Sequence, residues 1–141
     1  MYELIQKFHS GWAYAALAIL AIAVVVSALG FFSKREFTSS NRKFALFALI
    51  AMHIQLLVGL VLYFVSPLGL SGFNMKEDDL RLTSLEHPLI NIIAIVLITI
   101  GWSKHKKAVD SPSKFKAITV FYSIGLLLVL SRIPWSAWLS K

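Results

Sequence analysis

Four long apolar stretches constrain this chain more than any other feature. They cover residues 11–32, 44–65, 88–103 and 117–139. A membrane-spanning helix needs about 20 mostly apolar residues, because each residue adds about 1.5 Å to a crossing of about 30 Å. Four such stretches use nearly all of the 141 residues, so little remains for a soluble domain. We therefore predict an all-α fold, a single four-helix transmembrane domain over residues 1–141, with the helices arranged up-down-up-down.

The charged residues predict how this bundle is oriented. Only 15% of the residues are charged, and the formal net charge is +7. The loop between the first and second stretches and the loop between the third and fourth carry most of the basic residues, which are Lys34, Arg35, Arg42, Lys43, Lys104, Lys106, Lys107, Lys114 and Lys116. Basic loops stay in the cytoplasm, which places both termini and the acidic loop around residues 77–86 outside. This sorting explains the basic excess without a nucleic-acid partner. We expect a multi-pass protein of a bacterial inner membrane, with the lipid bilayer as its partner.

Two histidines suggest a metal cofactor. The chain has no cysteine, so a metal must be held by histidine or oxygen ligands. His9 and His87 each come just before an apolar helix that starts outside, which predicts nearly equal depth. Their helices, the first and the third, are diagonal partners in an up-down-up-down bundle. Two diagonal imidazoles at one depth suit the axial positions of a low-spin haem, with iron–nitrogen bonds of about 2 Å. We therefore predict a non-covalently bound haem b with His9 and His87 as metal ligands.

The helices that follow these histidines have faces of small or polar residues. Pro88 has no N–H and is expected to open the third helix, with His87 at its entrance. Asn91, one turn further on, leaves space for a porphyrin. Arg132 lies at the same outer level, where it is expected to pair with a haem propionate or simply to snorkel to the interface. The inward faces are predicted to contain Ala13, Ala16, Leu20, Ala23, Ser27 and Gly30 in the first helix, and Ala94, Ile98 and Gly101 in the third.

The polar residues of the helices can also have purely structural roles. A histidine at the membrane interface often only forms hydrogen bonds there, without binding a ligand. His53 lies roughly 14 Å into the second helix, too deep to share an iron with His87, and is expected to hydrogen-bond a neighbouring helix. Gln55 is expected on nearly the opposite side of the second helix from His53, because residues two apart lie about 200° apart around a helix. His105 stands among lysines and is expected to be solvated. Gln55 shares its stripe with Met52, Gly59 and Tyr63.

Residues 42–59, RKFALFALIAMHIQLLVG, and residues 81–89, RLTSLEHPL, resemble the third and fourth helices of a half-bundle of the heme A synthase family. Gln55 and Gly59 match a Gln-x-x-x-Gly pattern of that family. His87 matches the histidine that opens the next helix. The chain is also similar to short four-helix bacterial membrane proteins of the cytochrome b type.

The resemblance implies a bis-histidine haem pocket in which His9 takes the place of the partner histidine. It departs from the family at Gln6, where the family carries a catalytic glutamate. The predicted cofactor-binding residues are therefore His9, His87, Arg132, Gln55 and Asn91.

Three functions are consistent with these features. We favour a membrane b-type cytochrome that transfers electrons in a respiratory chain, with its haem near the outer face. The second is a half-size heme A synthase-like enzyme that acts on haem. The third is a cofactor-free accessory subunit of a membrane complex. We expect an electron-transfer protein or a complex subunit rather than a stand-alone enzyme, present as a homodimer or within a larger respiratory membrane complex.

Overall fold

The computed structural model describes residues 2–139 and confirms the all-α fold. In chain order its elements are α1 (Tyr2–Phe32), α2 (Ser39–Val65), a 3₁₀ turn (Leu70–Gly72), α3 (Asp78–Arg81), a π-helix (Leu82–Glu86), α4 (His87–Lys107), α5 (Ser111–Ser131) and α6 (Trp135–Leu139). No strand occurs in this described part of the chain. The four long helices α1, α2, α4 and α5 build the bundle.

Local sequence signals set several helix ends. Thr38 caps α2, because its hydroxyl accepts a hydrogen bond from a backbone N–H three residues on and the side chain of that residue accepts one from the Thr38 N–H. Asp110 caps α5 in a similar way, at 2.8 Å. Helix α5 ends at Ser131, whereas the apolar stretch had suggested a span reaching residue 139. Pro134 explains the difference, since it cannot donate the hydrogen bond that would continue the helix.

The four long helices form a ring in chain order. Helices α1 and α4 each contact both α2 and α5, which leaves α1 and α4 as the diagonal pair that the sequence predicted. Neighbouring helices run in opposite directions. His9, near the start of α1, lies against Gly59, near the end of α2, and Gly30, near the end of α1, lies against Phe115, near the start of α5. The two helices that carry His9 and His87 therefore run in the same direction.

Close contacts between helices depend on small residues. At Gly101 and Gly125 a Cβ atom would lie 2.5 Å from Phe121 and 2.7 Å from Ile98, so α4 and α5 approach too closely for any larger residue. Most of the predicted inward faces are buried, namely Ala16, Leu20, Ala23, Ser27 and Gly30 of α1 and Ala94, Ile98 and Gly101 of α4. Small faces of this kind let membrane helices pack tightly, and this prediction is confirmed.

Large apolar side chains cover the outside of the bundle. Val25, Leu57, Val96 and Leu127, one from each long helix, are exposed by 55%, 65%, 52% and 65%. Large apolar side chains exposed on all four helices are unusual for a protein in water. All four long helices, with α4 counted together with the turns that lead into it, are long and apolar enough to cross a bilayer. The chain is a multi-pass membrane protein.

The bundle has two chemically different ends. The lysine end holds the loops at residues 33–38 and 108–110 and the basic residues around them. The histidine end holds His9, His87 and the acidic segment at residues 77–86. His9 and His87 lie at the same end of the bundle, in agreement with the nearly equal depth predicted for them.

His105 is buried, although its lysine neighbours had suggested a solvated side chain. It is 2% exposed and packs against the rings of Phe37 and Trp102, with centroid distances of 5.2 and 4.5 Å. Its Nδ1 lies 2.8 Å from the Trp102 carbonyl, which can only accept, so Nδ1 donates. His105 lies one turn beyond Gly101 on the buried face of α4, and this position outweighs the charge of its neighbours.

Candidate functional site

A cavity of about 200 Å³ lies at the histidine end, between the four long helices. Its wall is mostly apolar, and no Asp, Glu, Lys or Arg is among the residues that line it. The polar lining residues are Gln6, His9, Ser10, Gln55, Tyr63, Ser66, Thr83, His87, Asn91 and Trp138. The structure thus brings together His9, His87, Gln55 and Asn91, four of the five predicted site residues. An apolar pocket with a few converging polar groups is typical of a small-molecule or cofactor site.

The helix that carries His87 does not begin at Pro88, as the sequence had suggested, but at Asp78. Helix α3 and the π-helix run directly into α4. Pro88 accounts for the irregular turn, because it has no N–H to donate to the carbonyl of Ser84, four residues earlier. Tyr63 supplies a donor instead: its hydroxyl donates to the Ser84 carbonyl at 2.8 Å. Helix α2 thereby fixes the backbone turn that leads into His87.

The hydrogen bonds of His87 determine which of its ring nitrogens is available. Its Nδ1 lies 3.0 Å from the backbone carbonyl of Arg132. Because a carbonyl only accepts, Nδ1 carries the proton in this bond and Nε2 keeps its lone pair. In this tautomer the Asn91 Nδ2, also a donor, contacts Nδ1 at 3.1 Å without a hydrogen bond. Metal-bound histidines commonly donate their other N–H to a carbonyl in this way. Asn91 holds the same turn, since its Nδ2 donates to the His87 carbonyl.

His9 lies against α2 at a position where a side chain larger than glycine would be crowded. A Cβ atom at Gly59 would be 3.1 Å from His9 Cε1, closer than nine in ten real Cβ contacts. Gln55, one turn earlier, donates from Nε2 to the His9 backbone carbonyl at 2.8 Å. Gln55 therefore anchors the backbone of His9, and Gly59 leaves room for its ring.

The imidazole rings of His9 and His87 are neighbours in the cavity wall. Their centroids are 6.4 Å apart, and their planes differ by 79°. An iron bound by one nitrogen of each ring at about 2 Å would place the centroids roughly 6 Å apart. The observed separation is close to this value, and it also lies within the range of an edge-to-face contact between two rings.

The donor set distinguishes between a bare metal ion and a haem. Among residues 2–139 no group of three or more metal-ligating side chains occurs. A bare zinc site takes four ligands, three of them from the protein even in a catalytic site, whereas haem iron needs at most two from the protein, because the porphyrin supplies the rest. Two imidazoles match the number of protein ligands that haem iron takes.

Two buried polar atoms in the cavity wall have no hydrogen-bond partner within the described residues. They are the acceptor Oε1 of Gln55 and the donor Nε1 of Trp138. Buried polar atoms are normally paired, so these atoms mark places where a bound molecule or water supplies the partner. The Trp138 indole N–H suits a carboxylate of a ligand. The cavity is smaller than the ~300–1,000 Å³ common for ligand pockets, so a porphyrin requires side chains of the apolar wall to move aside.

The side chain of Arg132 does not line the cavity, although the sequence pointed to its guanidinium. The side chain is 49% exposed, and its Nε lies 3.8 Å from Glu86 Oε1. Glu86 also accepts a hydrogen bond of 2.9 Å from Arg81, which binds Asp78 at 2.9 Å, so these four charges form a chain at the histidine end. Arg132 contributes its backbone carbonyl, which holds His87.

His53 is not among the lining residues, in agreement with the depth argument. Its Nδ1 bonds the carbonyl of Leu49 at 2.7 Å, within its own helix. The expected hydrogen bond to a neighbouring helix is thus replaced by one inside α2, because the carbonyl one turn earlier is within reach of the ring. The stripe predicted for α2 does line the cavity, through Met52, Gln55, Gly59 and Tyr63.

Sequence reasoning missed the roles of Tyr63 and Trp138. For Tyr63 a partial signal existed, because Pro88 leaves the Ser84 carbonyl without its helical donor. Which side chain replaces that donor depends on how α2 packs against the π-helix. Trp138 lines the cavity from α6, which follows the break after α5, and no pattern of residue types indicated this.

No known protein family, curated protein or solved structure matches this chain. The spacing of the two imidazoles, the neutral wall and the two buried atoms are therefore the features that a function has to explain.

Proposed function

We propose that this chain is a membrane b-type cytochrome that holds one non-covalent haem b between His9 and His87. The observation that carries the proposal is the spacing of the two imidazole rings, 6.4 Å between centroids with planes 79° apart. His9 and His87 would both hold the iron, and a haem held by two imidazoles would suit electron transfer rather than the binding of a small substrate. When bound, haem supplies reversible one-electron chemistry.

Four residues besides the two ligands would position and retain the haem. The Arg132 carbonyl keeps His87 in the tautomer whose Nε2 has a lone pair. Gln55 and Gly59 fix the backbone and ring of His9, as described above. The indole N–H of Trp138 would donate to a propionate oxygen.

The nature of Gln6 favours electron transfer over the enzyme alternative. A half-size heme A synthase-like enzyme would have a catalytic glutamate at this position, according to the resemblance. Gln6 lines the cavity, and an amide does not exchange protons as a carboxyl group does. Among the lining residues no carboxylate replaces it. The cofactor-free accessory subunit is the third possibility, and it predicts a colourless protein.

The charge of the two bundle ends supports an orientation for this function. The lysine end would lie in the cytoplasm of a bacterial cell, since basic loops are retained there, and the histidine end would lie outside. The haem would then sit near the outer face of the inner membrane. Its redox partner would be a second copy of this chain or another subunit of a respiratory membrane complex.

A reduced-minus-oxidised spectrum of the purified chain, with extraction and identification of the haem, tests the proposal. We expect one haem b per chain with a low-spin bis-imidazole signature after expression with ample haem. A colourless protein that is folded by circular dichroism would refute the proposal and favour the accessory subunit. Conversion of haem b or haem o to a modified haem would favour the enzyme.

Single substitutions at the two ligands test the assignment. His9→Ala and His87→Ala should each abolish the low-spin signature, because one remaining nitrogen leaves the iron five-coordinate or lets the haem dissociate. His53→Ala is the matched control, since it removes an imidazole from α2 outside the cavity and should keep full haem content. Loss of haem from folded His53→Ala protein would show that the ligand assignment is wrong. Trp138→Phe should weaken haem retention more than Arg132→Gln.

A further inference from the structure

A groove at the lysine end lies between α4 and α5, far from the cavity that holds His9 and His87. Its volume is about 560 Å³. We call it the lysine groove, and it is lined by Lys104, Lys107, Ala108, Ser113, Lys116, Ala117, Val120 and Phe121. The electron-transfer proposal assigns it no role.

Three of the residues that line the lysine groove are lysines, and none of them forms a salt bridge with another described residue. Among residues 2–139, no carboxylate lies within 4.0 Å of the amino group of Lys104, Lys107 or Lys116. Asp110, in the loop between α4 and α5, uses its carboxylate to cap α5, where it accepts a hydrogen bond from the Ser113 backbone N–H. Three ammonium groups around one recess attract an anion.

The remaining part of the lysine groove, further along α5, is apolar and continues onto the exposed apolar face of that helix. Ala117, Val120 and Phe121 follow Lys116 along α5. Val120 is 41% exposed, and Ile124, one turn further along the same helix, is 42% exposed. The Lys104 Nζ lies 6.0 Å from the centroid of the Phe121 ring, at the boundary between the charged and the apolar part.

We propose that the lysine groove binds an anionic phospholipid, with the headgroup phosphate among Lys104, Lys107 and Lys116 and an acyl chain along Val120 and Ile124. A phospholipid joins an anionic group to an apolar chain. The groove is complementary to it, because three lysines lie next to an apolar helix face at the end of a membrane span. Basic recesses at the cytoplasmic ends of membrane helices bind anionic headgroups in this way. The proposal is independent of whether the chain holds haem.

The experiment measures the apparent affinity of the full chain for three probes in a non-ionic detergent. The probes are dioleoyl-phosphatidylglycerol, dioleoyl-phosphatidylcholine and inorganic phosphate, and the readout is the rise of the thermal unfolding midpoint with probe concentration. We expect phosphatidylglycerol to bind roughly tenfold or more tightly than phosphatidylcholine, because each lysine near the headgroup contributes roughly a fivefold preference. Equal affinity for the two lipids would overturn the proposal. An equal response to inorganic phosphate would overturn it in favour of a free-anion site.

Two triple variants with the same change in net charge separate the groove from the general field of this end. K104Q/K107Q/K116Q removes the three groove lysines, whereas K34Q/K43Q/K106Q removes three exposed lysines outside the groove. The groove variant should lose the preference for phosphatidylglycerol, and the control variant should keep it within about twofold. Equal losses in both variants would refute a localised site. Should the groove variant not fold, the comparison of the three probes on the wild-type chain still decides the question.

Discussion

Replacing Tyr63 by phenylalanine tests how α2 fixes the turn before His87. The substitution removes only the hydroxyl that donates to the Ser84 carbonyl at 2.8 Å. Ser84 is 1% exposed, and Pro88 cannot supply a donor in its place. A buried acceptor that loses its donor costs about 1–3 kcal/mol in proteins generally, and hydrogen bonds between membrane helices average about 0.6 kcal/mol. We expect Tyr63→Phe to lower the free energy of unfolding by about 1 kcal/mol, within these limits.

The measurement is a titration with sodium dodecyl sulfate in mixed micelles, followed by far-UV circular dichroism. Tyr14→Phe provides the matched control, because it removes the same hydroxyl from a side chain that is 57% exposed. This control should change the free energy of unfolding by less than about 0.5 kcal/mol. Since the turn leads directly into His87, Tyr63→Phe should also lower the haem content of the purified protein.

Pro88→Ala separates the hydrogen bond from the packing of the ring. Alanine at this position has an N–H that can donate to the Ser84 carbonyl, as in an ordinary α-helix. Tyr63→Phe should therefore cost about 1 kcal/mol less in the Pro88→Ala background, a coupling typical of residues in one hydrogen-bond network. Equal costs in the two backgrounds would refute the reasoning, because the loss would then come from ring packing alone.

Three further predictions concern helix packing, pH and orientation. Gly59→Ala and Gly11→Ala each add a methyl group that stabilises a helix by up to about 1 kcal/mol, but only the methyl group at position 59 would contact His9. Only Gly11→Ala should therefore raise the free energy of unfolding in the same titration, and equal gains would mean that His9 does not lie against Gly59. The hydroxyl and N–H of Ser113 hold the pKa of Asp110 below its ordinary value, so its stabilising effect is complete above about pH 4 and is lost as the pH falls through the lower pKa of the folded state. The Tm of the wild type should therefore fall more between about pH 7 and about pH 3 than that of Asp110→Asn, which keeps a capping oxygen, and parallel curves would contradict this. A reporter fused to the C-terminus that requires an extracytoplasmic location should be active, and activity of a strictly cytoplasmic reporter there would reverse the orientation.

The fold was predictable because its determinants are periodic and local. Ala16, Ala23 and Gly30 recur at helical spacing, and that spacing alone indicates a face made for close packing. Short loops at the lysine end force consecutive helices to lie side by side and antiparallel, which makes the first and third helices diagonal. The common location of His9 and His87 follows from this arrangement. Their identity as candidate site residues therefore required no knowledge of tertiary contacts.

The contact that holds His87 was not predictable, because it is made by a group that every residue has. The sequence indicated Arg132 through its guanidinium, yet the group that holds His87 is its backbone carbonyl. A carbonyl is present at every position, so no pattern of residue types distinguishes one from another. What makes a carbonyl available is the loss of its helical donor, which happens at the end of a helix or near proline. Arg132 follows the last residue of α5 and belongs to the first kind.

The contact of Tyr63 has a different origin, a proline, which the sequence did contain. In a membrane helix the carbonyl four residues before a proline has no backbone donor and no water to replace it, so a neighbouring group must supply one. The Tyr63 hydroxyl meets this need before Pro88. The carbonyl of Leu130, four residues before Pro134, lies in the last turn of α5, and the indole N–H of Trp135 donates to it at 3.0 Å. At both Pro88 and Pro134, an aromatic side chain with a polar hydrogen donates to the carbonyl four residues earlier. Because these contacts lie beside the elements that carry His87 and Trp138, the two prolines help to shape the cavity wall as well as to interrupt the helices.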